Sequence, residues 1–178
     1  MKLSNSQDAP YFSTTDVYGA AIDLKKLRGN KVYLSFERNA GCPVCNLRMH
    51  KLLKEAEFFK TNNITVLMVY ESPLKKMKEY LGENKYPFHF LSDPHAKLYN
   101  LYGVEKSMAK VLKGLAHGLM SKVIAGYKLF KKPMMQDGAL NRIPAEFLID
   151  EKGKLIAAHY GKFIGDHIPI ETLKKMLN

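Results

Sequence analysis

"KVYLSFERNAGCPVCNLRMHKLLKEAEFF", residues 31–59, decides how the rest of the chain is read. It opens on an apolar, β-branched and aromatic run, Lys31 to Glu37, bounded by Asn30 and Asn39. Such a run predicts a buried strand. Leu47, Leu52, Leu53, Ala56 and Phe59 follow at roughly helical spacing, and Pro43 suits a first helical turn, where its missing N–H costs nothing. Between strand and helix lie Cys42 and Cys45, the only two cysteines in 178 residues. The stretch therefore predicts strand, loop and helix, with both thiols at the helix N-terminus.

Outward from that centre, "APYFSTTDVYGAAIDLKKL" alternates around a turn at "VYG" and predicts a short hairpin, then a turn of helix at "DLKKL". "ITVLMVY" (64–70) and "PFHFLSD" predict two further strands. "SPLKKMKEYLG" between them predicts an amphipathic helix with Ser72 at the N-cap, Pro73 at N1 and Gly82 near its end. "AEFLIDEKGKLIAAHYG" predicts a hairpin turning at "DEKG", and "IETLKKMLN" a closing helix. Alternating β and α implies a sheet covered by helices, and the hairpin makes it a mixed sheet. The expected class is α/β, a single domain over 1–178.

The stretch 104–132 departs from that rhythm. Val104, Met108, Val111, Leu115, Leu119, Val123, Tyr127 and Phe130 repeat at three- and four-residue spacing, while Lys106, Lys110, Lys113 and His117 share another face. One straight helix of that length would span about 40 Å. Gly114, Gly118 and Gly126 weaken it, so a bend or a two-helix insert is an equal expectation. Either the apolar side packs on the core under a solvated basic face, or the segment meets a partner, a substrate or a membrane surface.

Hydrophobic residues make up 46% and charged residues 25%, the balance of a chain that builds a core without staples. No apolar run approaches the ~20 residues of a membrane span. The opening "MKLSNSQDAPYFSTTD" lacks the apolar centre of a signal peptide, so the sequence reads as cytoplasmic, where thiols stay reduced until they react. The net charge of +11 attracts anions and suggests an acidic partner. Its lysines are spread without an arginine-rich tract, so no nucleic-acid role is expected.

At a helix start the backbone N–H groups are unpaired and the dipole is positive, so a thiolate there is stabilised and reactive. Two-residue spacing lets the second sulfur close onto the first. Zinc competes for the same residues through "CPVCNLRMH", with His50 as a third donor. A structural zinc needs four ligands, and there is no third cysteine, while His89, His95, His117, His159 and His167 are scattered. A reversible dithiol is the favoured reading, with no metal and no cofactor required.

"DAPYFSTTDVYGAAIDLKKLRGNKVYLSF", followed by the thiol motif, resembles the opening of the alkyl hydroperoxide reductase and thiol-specific antioxidant family of peroxiredoxins. "RIPAEFLIDEKGKLIAAHYG" is similar to the later proline-strand-hairpin of the same thioredoxin-like superfamily. The resemblance covers most of the chain except the insert near 104–140. It implies a thioredoxin-like fold and a disulfide between Cys42 and Cys45. Thioredoxin-like proteins attack with the first cysteine of the pair, here Cys42, and resolve with the second, Cys45. By the same likeness Pro144 stands where those proteins carry a cis-proline lining the substrate groove, with Ile143 before it. The peroxiredoxin pattern, laid on "FERNAGCPVC", puts Arg38 at its proline, Cys42 at its threonine and Cys45 at the attacking position. The two patterns disagree on the attacking sulfur. The helix-terminus argument favours Cys42, as the outermost and more exposed of the pair.

An arginine steadies the reactive thiolate in that family, and Arg38, Arg48 and Arg142 are the candidates in this chain. Glu37, at the strand end, is placed to assist proton transfer, or else is a surface charge. Asp166 and His167 in "GDHIP" read as a turn before the last helix, and Tyr33 and Phe36 as core. The expected function is a thiol–disulfide oxidoreductase or thiol peroxidase, with peroxide or disulfide substrates and electrons from a thioredoxin- or glutathione-type donor. The alternative is a redox-responsive binding module whose basic insert engages a partner.

Overall fold

The computed structural model describes residues 1–130 and 137–178. β1 (Ser13–Thr15) and β2 (Ala21–Asp23) form the opening antiparallel hairpin. Hydrogen-bonded turns rather than a helix follow it at "DLKKL", where the Asp23 side chain accepts from Lys25 N at 2.9 Å. Next come β3 (Lys31–Phe36), α1 (Pro43–Leu53), α2 (Ala56–Thr61) and β4 (Ile64–Tyr70). They are followed by α3 (Leu74–Leu81), β5 (His89–Ser92), α4 (Lys97–Leu101), α5 (Met108–Ala116) and α6 (Leu119–Phe130). β6 (Ala145–Ile149), β7 (Leu155–Tyr160) and α7 (Ile170–Leu177) complete the described elements.

The five-stranded sheet runs β5-β4-β3-β6-β7. β3, β4 and β5 are parallel, joined by helical crossovers, while β6 lies antiparallel to β3 and pairs with β7 as a hairpin. The sheet is thus mixed, and β3, which leads into the thiols, is its centre.

The period of two along the central strands sorts side chains between two cores. Val32, Leu34 and Phe36 join Leu67, Val69, Tyr99, Tyr102 and Phe147 on one face. Tyr33 joins Val66, Met68 and the helical residues Met49, Leu52, Met77 and Leu173 on the other. On this second face the alternation delivers Ser35 and then Glu37, both buried, beneath α1. Tyr33 and Phe36 are core, as their sequence setting predicts.

Ser72 does not cap α3; Pro73 holds that place. The Ser72 hydroxyl instead accepts from Ala40 N at 2.7 Å and donates to Asp137 at 2.8 Å, tying the thiol loop to the far end of the insert. The long helical pattern divides at Gly118, whose φ of +75° suits glycine, so the insert holds two helices. Its 131–136 portion lies outside the described residues. The eight-residue repeat does not trace one buried face. Leu119 is buried, but Met108, Leu115 and Tyr127 are exposed. None of the described helices is long and apolar enough to cross a membrane.

Candidate active site

Cys42 is the N-cap of α1, with Pro43 beginning the helix. The turn preceding it is closed by Cys42 N donating to Asn39 O at 3.1 Å, and the first helical bond runs from Asn46 N to Cys42 O at 2.9 Å. Both thiols are free and both are buried, Cys42 at 2% and Cys45 at 5% exposure. Cys42 is therefore not the more exposed sulfur. The body of the fold closes over the helix terminus, which spacing along one chain does not reveal.

Environment, rather than exposure, separates the two. A hydrogen bond from the Cys45 thiol favours the Cys42 thiolate; burial opposes it; the Arg38 guanidinium and the N–H groups of Cys45 and Val44 add to the stabilisation. The result is a Cys42 pKa lowered to about 6. Cys45 moves the other way. Burial, the hydrogen bond it gives to Cys42 and the charges of Cys42 and Glu37 push its thiol well up. In a coupled pair the first proton to leave belongs to the pair, and this geometry leaves the charge on Cys42.

Arg38 bonds to both sulfurs. Its Nη2 donates to Cys42 Sγ at 3.3 Å and its backbone N–H to Cys45 Sγ at 3.3 Å, while Nη1 is anchored on Leu140 O at 3.1 Å. Arg142 and Pro144 line the same small cavity above the sulfurs, about 10 Å³, with Glu37, Arg38, Val44, Ile164, Gly165 and His167. Arg142 nevertheless spends its guanidinium elsewhere. It is ion-paired with Glu71, donates to Val104 O at 2.7 Å and covers the Tyr99 ring. Ile143 is buried in the core behind the cavity. The Ile143–Pro144 bond is trans, which corrects the cis expectation. The trans form is the lower-energy isomer, and here Pro144 leads directly into β6 while its carbonyl accepts from Gly161 N at 2.9 Å.

Beneath α1 the buried polar residues form one network. Arg48 reaches down to Glu146, 2.8 Å away, and also donates to Tyr33 Oη at 2.8 Å and Ile168 O at 2.9 Å. Burial would raise the Glu146 carboxyl, but Arg48, His167 and Tyr33 hold it down at about 2. His167 Nδ1 lies 3.1 Å from Glu146, and its Nε2 lies 3.8 Å from Glu37 Oε2. Ser35 donates to Glu37 Oε1 at 2.8 Å, yet the buried Glu37 Oε2 has no hydrogen-bond partner among the described residues. Burial accordingly raises the Glu37 pKa, against the pull of His167. His167 borders a groove of about 260 Å³ that also takes in Val44, Arg48, Lys51 and Lys122.

So Glu37 is no surface charge, and Arg48 is no surface arginine. Sequence reasoning read His167 as a turn residue and did not single out Glu146. The period of two from Tyr33 through Ser35 to Glu37 was the available signal for a polar face. His50 lies on α1, half-buried, and no group of metal-binding side chains occurs among the described residues.

A thiolate at a helix N-cap, a second thiol beneath it and a central mixed sheet define a thioredoxin-like redox fold. The AhpC/TSA family profile matches residues 6–158, and the chain belongs to that family. Its members are thiol-dependent oxidoreductases. Among curated relatives, peroxiredoxin Q of rice chloroplasts (Oryza sativa subsp. japonica) is 28% identical over 113 residues, 64% of this chain and 52% of that protein. The chain thus spans about half the length of that relative. AhpC of Enterococcus faecalis superposes with a TM-score of 0.69 at 17% identity, over 99% of this chain and 91% of the other. A Chlorobium tepidum chain described as a thiol:disulfide interchange protein DsbE gives 0.66 at 19%, over 99% and 96%. Those two likenesses speak for the fold alone.

Proposed function

We propose that the chain is a thiol–disulfide oxidoreductase in which Cys42 attacks and Cys45 resolves. The observation that carries this is the asymmetry of the pair: the guanidinium of Arg38 is on the Cys42 sulfur, while the Cys45 thiol is pushed up by burial beside Glu37. The Cys42 thiolate attacks one sulfur of a substrate disulfide, forming a mixed disulfide and releasing the other sulfur as thiolate. Cys45 loses its proton, attacks Cys42 Sγ and releases the second substrate thiolate. The protein is left with a Cys42–Cys45 disulfide and the substrate has gained two electrons. A dithiol of the thioredoxin type, or two glutathione molecules, returns them.

Glu37 is the acceptor for the Cys45 proton. Its Oε2, without a hydrogen-bond partner among the described residues, and its raised pKa suit a proton acceptor beside a buried thiol. His167, between Glu37 and the groove, is the next stop toward solvent. Arg142 and Pro144 shape the wall over the sulfurs. The chemistry fits a reducing compartment such as the cytoplasm, where the donor keeps the dithiol charged.

Membership of a family that includes peroxiredoxins favours a second reading, peroxide reduction through a sulfenic acid. One experiment separates them. Fully reduced protein is mixed with hydrogen peroxide and, separately, with a low-molecular-weight disulfide, and the oxidised sulfur is mapped by trapping and mass spectrometry. Rapid exchange through Cys42 with slow peroxide reaction is the expected result. A fast sulfenic acid appearing first on Cys45 would make the protein a peroxidase and reverse the roles of the two cysteines.

A further inference from the structure

Both helices of the insert carry two apolar stripes. The inner ones face the body. Leu119 is buried, Val111 and Val123 pack on the core, and Gly114 and Gly126 let the helices close on Ile164 and on the Pro43 carbonyl. The outer ones have no partner among the described residues. Met108, Leu112 and Leu115 stand 56%, 62% and 53% exposed along α5, and Met120, Ile124 and Tyr127 stand 58%, 51% and 52% exposed along α6. Each outer triplet follows the i, i+4, i+7 spacing of one helix face.

The charge around these stripes says what covers them. Residues 106–130 contain five lysines and no Asp, Glu, Arg or Trp. Lys110 and Lys122 are tied to the body through Gly161 O and Gly165 O, which leaves Lys106, Lys113 and Lys128 exposed beside the stripes. Protein–protein interfaces are poor in lysine and are anchored by Trp, Tyr and Arg. An apolar Leu, Ile and Met face flanked by lysine is instead the pattern of a helix lying in a lipid headgroup layer, where the lysine stems follow the apolar boundary and the ammonium groups reach the phosphates. At 9 and 12 residues the helices are too short to cross such a layer.

We propose that α5 and α6 dock this protein on an anionic lipid surface, with the outer stripes in the headgroup layer and the exposed lysines against lipid phosphates. This stands independently of the redox chemistry. The test is co-sedimentation of the full chain with vesicles of phosphatidylcholine alone and of phosphatidylcholine mixed with phosphatidylglycerol. Wild-type protein is expected to bind the mixed vesicles, to bind the neutral ones weakly, and to be released as salt is raised. The variant Leu112→Gln/Ile124→Gln changes only exposed side chains, so it should keep the wild-type melting temperature while its binding falls roughly tenfold or more, as expected for two apolar anchors lost. Lys113→Gln/Lys128→Gln should lose the preference for the anionic vesicles. Wild-type protein that ignores the mixed vesicles overturns the proposal. So does binding that the Leu112→Gln/Ile124→Gln change leaves intact. A concentration-dependent dimer that this change abolishes, with no vesicle binding, would assign the stripes to a second copy of the chain and equally overturn it.

Discussion

The Arg38 guanidinium donates to the Cys42 sulfur at 3.3 Å, from a residue whose backbone N–H holds Cys45. One residue therefore touches both sulfurs, adding to the stabilisation of the first as thiolate and holding the second in place. Alkylation of Cys42 by iodoacetamide is expected to titrate near pH 6 in the wild-type protein. Arg38→Met should shift that titration upward by on the order of one unit, the effect of losing a close opposite charge. The backbone donors of α1 remain, so the shift stops short of an ordinary thiol. An unchanged titration would remove Arg38 from the mechanism.

The two cysteines should fail differently. With Cys45→Ser, the mixed disulfide on Cys42 has no resolving thiol and accumulates, visible as an added mass equal to half the substrate disulfide. With Cys42→Ser, the remaining thiol is buried and of raised pKa, and adduct formation should fall by about two orders of magnitude or more. Equal adduct yields from both variants would contradict the assigned order.

Glu37 links stability to pH in a direction opposite to most carboxylates. Its folded pKa is raised, so the native state holds that proton more tightly than the unfolded chain does. The contribution is full below the ordinary value of 4.5 and is lost as pH rises through the folded pKa. Glu37→Gln should therefore gain stability relative to wild type in urea titrations as pH rises above 4.5, and the gain should level off above the raised folded pKa. The same variant should close the Cys42–Cys45 disulfide more slowly. Slower closure without the stability gain would mean that Glu37 is already paired in the folded protein.

Glu146 has the usual sign. Its pKa is depressed to about 2, so its contribution is present above the ordinary 4.5 and disappears only as pH falls through about 2. Removing its partner alone leaves a buried charge. Arg48→Met is expected to cost about 3–5 kcal/mol in urea unfolding, and adding Glu146→Leu to recover much of it. A small loss for the single variant would show that Glu146 finds compensation from Tyr33 and His167.

A Cβ on Gly126 would lie 2.0 Å from the Pro43 carbonyl oxygen, and one on Gly114 would lie 2.5 Å from the Ile164 side chain. Gly126→Ala meets backbone that cannot rotate away and should cost about 1–3 kcal/mol by thermal or urea unfolding, moving α6 off α1. Gly114→Ala meets a side chain that can turn, and should cost less.

The strands were legible because each combines β-branched or aromatic runs with flanking turn residues, and Ile64–Tyr70 coincides with its expected span. The helix after the thiols was legible in its start but not in its break between Leu53 and Ala56, where no Gly or Pro intervenes. The thiol pair was legible from two residues, whereas Arg38 was one of three arginines suggested by the family likeness, and the sequence alone did not choose among them. What escaped was decided by distance in sequence. Arg48 and Glu146 are 98 positions apart and become partners only when β6 is laid beside β3. His167 looked like a turn residue because its partners come from β3 and β6. Whether the apolar residues of α5 and α6 met the core or something outside it was left open, because periodicity reports that a face is apolar without saying what it meets.

The cavity over the sulfurs, about 10 Å³, is close to the smallest space that holds a single water. No disulfide fits there while its walls stand as described. In the proposed exchange the walls would part first, and the observed rate would be the intrinsic rate of the thiolate multiplied by the fraction of molecules that are open. As substrate concentration rises, that rate should level off at the frequency of opening, whatever the leaving group. Discrimination among disulfides would thus be exercised at admission, before any sulfur is touched.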